Sequence, residues 1–262
     1  MNSIDAKQAS DILYANWING TRIDALPPHL RPTTRAEGYA VQQLIESHSS
    51  SVPFGWKLAA TSEAGQGHIS VDGPLAGRIL KERVIADGAS CPLGTNLMRV
   101  AELEFAFQFG RDIVPRRQAW TVHDALEQIS TLHPAIELPD SRFSHFETAG
   151  APQLIADNAC AHFFLLGAPA PDSWRAIDLA SHRVWGRVDN GEPISGVGRN
   201  VLGDPRTALV WFLNESARYG FTIRAGEIVT TGTCLTPIPV RPNNRIVGDF
   251  GPLGTVSIRL SE

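Results

Sequence analysis

Apolar positions recur at helical spacing over the first fifty residues and at strand spacing after that. Ile12, Leu13, Trp17 and Ile18 fall at helical intervals within residues 5–19, and Leu26-Pro27-Pro28 through Pro32 interrupts the pattern as a loop. A second helix opens at Thr34-x-x-Glu37, a capping-box pattern in which hydroxyl and carboxylate each accept from a free backbone amide; Ala40, Val41, Leu44 and Ile45 form its apolar stripe. From Gly55 the texture changes to short apolar or alternating runs punctuated by Gly and Pro, which predicts strands at 55–61, 100–109, 134–138, 161–166, 226–232 and 255–260. Two further helices interrupt them. One spans 121–132, with Val122, Ala125, Leu126 and Ile129 on one face; the other is capped by Asp204, opened by Pro205 and stopped at Gly220. The expected fold class is mixed α/β, with a helical N-terminal region over residues 1–52 and a β-rich domain over 53–262.

Composition narrows the function classes. A chain of 262 residues, 43% apolar and 19% charged, can bury a real core and is neither disordered nor fibrous. A net charge of −4 supplies no basic field for nucleic acid or an anionic membrane, and no apolar run approaches the roughly 20 residues a membrane helix needs. Residues 1–10 lack the apolar core of a secretory signal, and Cys91, Cys160 and Cys234 are odd in number and far apart, so a reducing cytoplasm is the expected compartment. Phosphate-loop, nucleophile-elbow and H-E-x-x-H patterns are absent, and Gly196-Val197-Gly198 lacks the third glycine of a dinucleotide loop, Val201 standing in its place. The histidines are scattered singly; His133 and His162 read as packing or surface residues beside strands.

Residues 100–109, VAELEFAFQF, alternate with period two. Ala101, Leu103, Phe105, Phe107 and Phe109 share one face, and Glu102, Glu104, Ala106 and Gln108 the other. Two carboxylates side by side are either a solvated strand face or, given three phenylalanines behind them, a buried pair that needs a cation. Glu137 interrupts a second apolar strand in Pro134-Ala-Ile-Glu-Leu, where a charge is costly unless paired or metal-bound. Three carboxylates converging on strands form a hard oxygen site suited to Mg2+ or Mn2+, with no His or Cys to favour zinc. Lys57 is one of only three lysines beside 20 arginines. It is either a strand-edge residue with its stem on apolar neighbours, or a proton donor and acceptor that guanidinium cannot replace.

Glu102-x-Glu104, with Glu137 in an Ala-Ile-Glu-x-x-Asp-Ser-Arg setting, resembles the metal site of the fumarylacetoacetate hydrolase superfamily, and within it the 2-keto-4-pentenoate hydratase and 4-oxalocrotonate decarboxylase branch. The likeness continues in order through Gly38-Tyr-Ala-Val-Gln42, Gly55-Trp-Lys-Leu-Ala-Ala-Thr-Ser62, Ile155-Ala-Asp-Asn-Ala159, Val201-Leu-Gly-Asp-Pro205, Thr230-Thr-Gly-Thr233 and Asp249-Phe-Gly-Pro-Leu-Gly254. It implies a β-rich roll, Glu102, Glu104 and Glu137 as metal ligands, Lys57 in catalysis, and Ser62, Thr231, Gly232 and Thr233 around the substrate carboxylate; read alone, the last four are ordinary turn residues. The implied activity is Mg2+-dependent addition of water to a 2-hydroxy-2,4-dienoate, giving a 4-hydroxy-2-oxo acid in aromatic catabolism by a cytoplasmic homo-oligomer. Two departures stand out: Pro74-Leu75-Ala76-Gly77 where the branch commonly carries Pro-Asp-Tyr-Gly, and Pro242-Asn243-Asn244-Arg245 in place of Pro-Gly-Asp. Leu75 leaves open decarboxylation of a 4-oxalocrotonate-like acid, C–C hydrolysis of an acylpyruvate, and a non-catalytic ligand-binding or partner subunit.

Overall fold

The computed structural model describes residues 1–262 and contains six α-helices and thirteen strands. The helices are α1 (Ser3–Asn19), α2 (Arg35–Gln43), α3 (Glu63–His68), α4 (Val122–Leu126), α5 (Ala151–Ala156) and α6 (Pro205–Tyr219). The first strands are β1 (Gly55–Ala59), β2 (Leu75–Ile79), β3 (Val84–Ile85), β4 (Ser90–Pro92), β5 (Val100–Phe109), β6 (Ile129–Leu138) and β7 (Phe163–Leu166). They are followed by β8 (Arg183–Val188), β9 (Ile194–Val197), β10 (Ile228–Thr233), β11 (Ile238–Pro239), β12 (Arg245–Asp249) and β13 (Thr255–Ser261). The larger sheet runs β2-β1-β10-β5-β6-β7-β3, with β11 also on β5, and the smaller runs β4-β13-β12-β8-β9. No helix is long and apolar enough to cross a membrane.

The two sheets meet across the apolar face of β5. Leu103 lies where a Cβ on Gly186 of β8 or Gly248 of β12 would come within 3.1 or 2.9 Å of its methyl groups, and the Phe105 ring sits edge-on to Phe250 at 5.3 Å. Burying that face against the smaller sheet leaves Glu102 and Glu104 on the opposite side of the strand. The N-terminal helices join the same core: Ala9, Leu13, Tyr39 and Val41 belong to one apolar cluster with Trp56 and Leu58, which therefore runs across position 52. Gln42 on α2 ties the layers together, donating to the carbonyls of Ala76 (2.7 Å) and Ile155 (2.9 Å).

The local signals fare unevenly. Asp204 and Pro205 open α6 and Gly220 (φ 78°) closes it, as expected. Thr34 caps α2, but Glu37 accepts from Thr33 N at 2.8 Å instead of closing the box on Thr34. The helix expected over 121–132 is corrected: α4 ends at Leu126 and β6 begins at Ile129. Ile129 and Leu132 pair with Phe109 and Phe107 of β5, and Pro134 bars a helix through its predecessor, so sheet pairing overrides the 3.6-residue spacing. Strands β2, β8, β9 and β12, and the glycine-rich α3, carry weaker periodicity and lie outside the elements that periodicity predicts.

Candidate active site

Antiparallel pairing of β5 with β6 sets Glu102 directly opposite Glu137 and Glu104 opposite Ala135. Opposed residues share a face, and Glu104 is the diagonal neighbour of Glu137, so all three carboxylates converge. One oxygen from each lies within 4.8 Å of the others. Glu104 and Glu137 are 0% and 1% exposed, whereas Glu102 is half-buried and lines a cavity. Glu104 Oε2 accepts from Gly232 N at 3.0 Å, but Glu104 Oε1 and both Glu137 oxygens have no hydrogen-bond donor. Native proteins rarely leave buried carboxylate oxygens unsatisfied. Burial raises the pKa of all three: Glu137 is pushed up to about 7, and Glu104 well above its usual range by burial together with Glu137 and Glu102. Three clustered carboxylates with orphaned oxygens, and no His or Cys among them, fit a hard divalent cation.

Lys57 stands beside this cluster, 2% exposed on β1. Its Nζ is 3.1 Å from Glu137 Oε1, an ion pair without hydrogen-bond alignment, and it donates to the Ala159 carbonyl at 2.9 Å. Burial alone would lower the lysine pKa; Glu137, Glu102 and Glu104 reverse that and leave it above its ordinary value. Ala159 reaches Lys57 through an unusual turn. Asn158, Ala159 and Cys160 are successive non-glycine residues with φ of 57°, 50° and 61°, each in the left-handed region. The turn lies over Gly77, the β-partner of Lys57, where an added Cβ would meet the Asn158 carbonyl at 2.2 Å. Asn158 grips β2 with its side chain, accepting from Arg78 N (2.6 Å) and donating to Arg78 O (2.8 Å). Below it, buried Asp157 pairs with the Arg142 guanidinium and accepts from Ser141 Oγ at 2.6 Å.

Lys57 and Glu102 open onto a cavity of about 450 Å³. Ser62, Gly232 and Thr233 line it as expected. Thr231 lies apart from them: it is fully buried, its hydroxyl donates to Gly232 O at 3.4 Å, and it forms no part of the wall. The strand bulges between Thr230 and Thr233, which breaks the alternation on which a face assignment depends. Sequence reading assigns no role to Thr61, Cys160, Asn200 or His68 on the wall; Thr61 falls inside the matching segment Gly55–Ser62, Cys160 just after Ile155–Ala159, and the other two in no matching segment. Leu75 is fully buried in β2 opposite Ala59, so apolar packing occupies the place of the missing acid.

Gly232 has a specific reason to be glycine. Its φ is 85°, and a Cβ would fall 2.0 Å from Thr61 Oγ1. Gly232→Ala should cost about 1–2 kcal/mol for the left-handed backbone alone. By moving the amide that orients Glu104, it should also weaken divalent-cation binding about 10–100-fold. Calorimetric titration with Mg2+ checks this, and wild-type affinity would refute the role of that amide.

The profile of the fumarylacetoacetate (FAA) hydrolase C-terminal region matches residues 82–260, more than half the chain. The chain belongs to the fumarylacetoacetate hydrolase family. Among family relatives, 2-keto-4-pentenoate hydratase 1 of Dechloromonas aromatica is 29% identical over 97% of this chain and 96% of its own. The 2-hydroxyhexa-2,4-dienoate hydratase of Comamonas testosteroni is 29% identical over 80% of this chain and 78% of its own. The structure of 4-oxalocrotonate decarboxylase from Pseudomonas putida G7, complexed with magnesium and adipate, superposes with a TM-score of 0.89 at 24% identity, covering 99% of this chain and 98% of that one. That likeness establishes the fold: N-terminal helices followed by curled sheets.

Proposed function

We propose that this protein is a divalent-cation-dependent hydro-lyase that adds water to 2-hydroxy-2,4-dienoates, forming 4-hydroxy-2-oxo acids in the breakdown of aromatic compounds. The observation that carries the reading is a cluster of three carboxylates beside one cavity, with orphaned oxygens on Glu104 and Glu137 and a buried lysine 3.1 Å from Glu137. Hydratase relatives aligned over nearly the whole chain support it. Glu102, Glu104 and Glu137 would hold Mg2+ or Mn2+, which when bound would act as a Lewis acid stabilising negative charge that develops on the 2-oxo acid head of the substrate. The three cysteines are buried free thiols, in keeping with a reducing cytoplasm. Family likeness favours a homo-oligomer.

The protein's own groups divide the remaining work. Its carboxylate neighbours keep Lys57 in the ammonium form, a proton donor for C5 of the dienol as the 2-hydroxyl gives up its proton and the 2-oxo-3-enoate forms. The proton given up by the 2-hydroxyl returns Lys57 to the ammonium form, and water then adds its oxygen at C4 while its proton passes to C3. Ser62 offers a hydroxyl at the cavity wall for the substrate carboxylate, beside Gly232 and Thr233, whose N–H and hydroxyl are already donated to Glu104 Oε2 and Leu235 O. Lys57 is the only lysine or arginine on that wall, and Leu75 is an apolar residue of β2 that supplies no carboxylate.

The test is turnover of 2-hydroxypenta-2,4-dienoate with Mg2+, followed as loss of diene absorbance. No loss, combined with release of CO2 from 4-oxalocrotonate or cleavage of an acylpyruvate, overturns the hydratase assignment. Lys57→Met should lower kcat about 10²–10⁴-fold, the range of general acid–base catalysis, and leave Mg2+ affinity within a few-fold of wild type. A variant retaining more than a tenth of wild-type kcat would remove Lys57 from the chemistry.

A further inference from the structure

The cavity changes character along its length. Lys57 and Glu102 occupy the end at the carboxylate cluster. Met98 lies just before β5, and Pro237 just before β11, whose Ile238 pairs with Ala101, so both sit at the end of the sheet beyond Glu102. Ile69, the residue that ends α3, adds a further apolar side to the cavity. None of the 20 arginines in this chain lines the cavity. Its only permanently charged cation, Lys57, is already committed to Glu137 and the Ala159 carbonyl. Among the remaining wall residues only His68, exposed at the end of α3, is basic, and the Asn200 amide is already donated to Cys234 O at 2.9 Å. A second carboxylate on a substrate would thus lose its hydration against Met98, Ile69 and Pro237 with no fixed cation to receive it. The volume, about 450 Å³, also falls in the range of sites for ligands much larger than a five-carbon acid.

We propose that the cavity selects 2-oxo acids with an uncharged apolar tail longer than a vinyl group, seated on Ile69, Met98 and Pro237, and discriminates against a terminal carboxylate. This rests on the functional reading above, because it takes the metal end as the site of the 2-oxo acid head. Saturated 2-oxo acids serve as unreactive probes, titrated calorimetrically with the protein in excess Mg2+. Affinity should rise two- to fourfold per methylene, the ratio given by about 0.8 kcal/mol for a fully buried CH2 and less for a partly exposed one. 2-Oxohexanoate should then bind about 8- to 64-fold tighter than pyruvate, and 2-oxooctanoate tighter still. 2-Oxoadipate, which differs from 2-oxohexanoate only in carrying a carboxylate for the terminal methyl, should bind at least tenfold more weakly. Met98→Arg, a change at a half-buried position, should reverse that last preference.

Equal affinities for pyruvate and 2-oxohexanoate, or 2-oxoadipate binding as tightly as 2-oxohexanoate, would overturn the tail assignment while leaving the metal-bound head intact. An unchanged preference in Met98→Arg would remove Met98 from the tail site. Absence of Mg2+-dependent binding by every 2-oxo acid would instead sink the functional reading, and this inference with it.

Discussion

Glu104→Gln should abolish turnover, by a thousandfold or more in kcat/KM, and yet melt at a higher temperature than the wild-type protein when both are held in EDTA. A thousandfold loss corresponds to about 4 kcal/mol of transition-state stabilisation, a reasonable consequence of removing one of three ligands to a catalytic cation. The opposite effect on stability follows from burial. Glu104 is 0% exposed, one of its oxygens has no donor, and Glu102 and Glu137 are close enough to share a cation with it. Without the cation, each additional charge in that space is opposed by desolvation and by its neighbours. Glutamine keeps an acceptor for Gly232 N and supplies a donor to the orphaned carboxylate oxygens nearby. A gain of about 1–2 kcal/mol would raise Tm by roughly 2–6 °C in a chain of this size. Mg2+ should raise Tm of the wild type far more than that of the variant, because only a state that binds the ion is stabilised by it. Wild-type Mg2+ affinity in Glu104→Gln, or a lower Tm in EDTA, would contradict this account of the cluster.

Asp157→Ala should have the largest effect on stability. It leaves the Arg142 guanidinium 2% exposed without its carboxylate partner, and it deprives Ser141 Oγ and Arg142 N of their acceptor. Breaking a buried pair from one side costs about 3–5 kcal/mol, or roughly 6–20 °C in Tm at this chain length. The consequence should reach the active site because Asp157 leads directly into the left-handed turn that carries Ala159 to Lys57. Below its melting temperature the variant should therefore bind Mg2+ nearly as the wild type does, while kcat falls at least tenfold. Its residual structure can be monitored by near-UV circular dichroism. A Tm within about 2 °C of wild type would show that the pair is not holding the turn; unchanged kcat in a destabilised variant would show that the turn does not hold Lys57.

Much of the catalytic constellation is legible in the sequence because its signals are local. Alternation over 100–109 is enough to place Glu102 and Glu104 on one face, and the rarity of lysine singles out Lys57. Glu137 is conspicuous as a charge inside an apolar strand. Other features depend on long-range packing. Nothing in Asn158-Ala159-Cys160 encodes three left-handed residues; the Arg78 backbone, the bare Cα of Gly77 and the Arg142–Asp157 pair impose them from other elements. Thr231 escapes a local reading because a bulge in β10 shifts the facing of residues whose order looks regular.

The sequence by itself determined the two faces of β5, the caps that open α2 and α6, and the placement of Glu102, Glu104, Glu137 and Lys57 in apolar strands, because those follow from the periodicity and side-chain chemistry of near neighbours. Only the tertiary structure decided that Glu102 faces Glu137 in register, that residues 129–133 extend into a strand, and that Met98 and Leu235 share one cavity wall. Register and cavity shape arise when segments far apart in the chain exchange backbone hydrogen bonds and compete to bury apolar surface, and no short window of sequence contains both partners in that exchange.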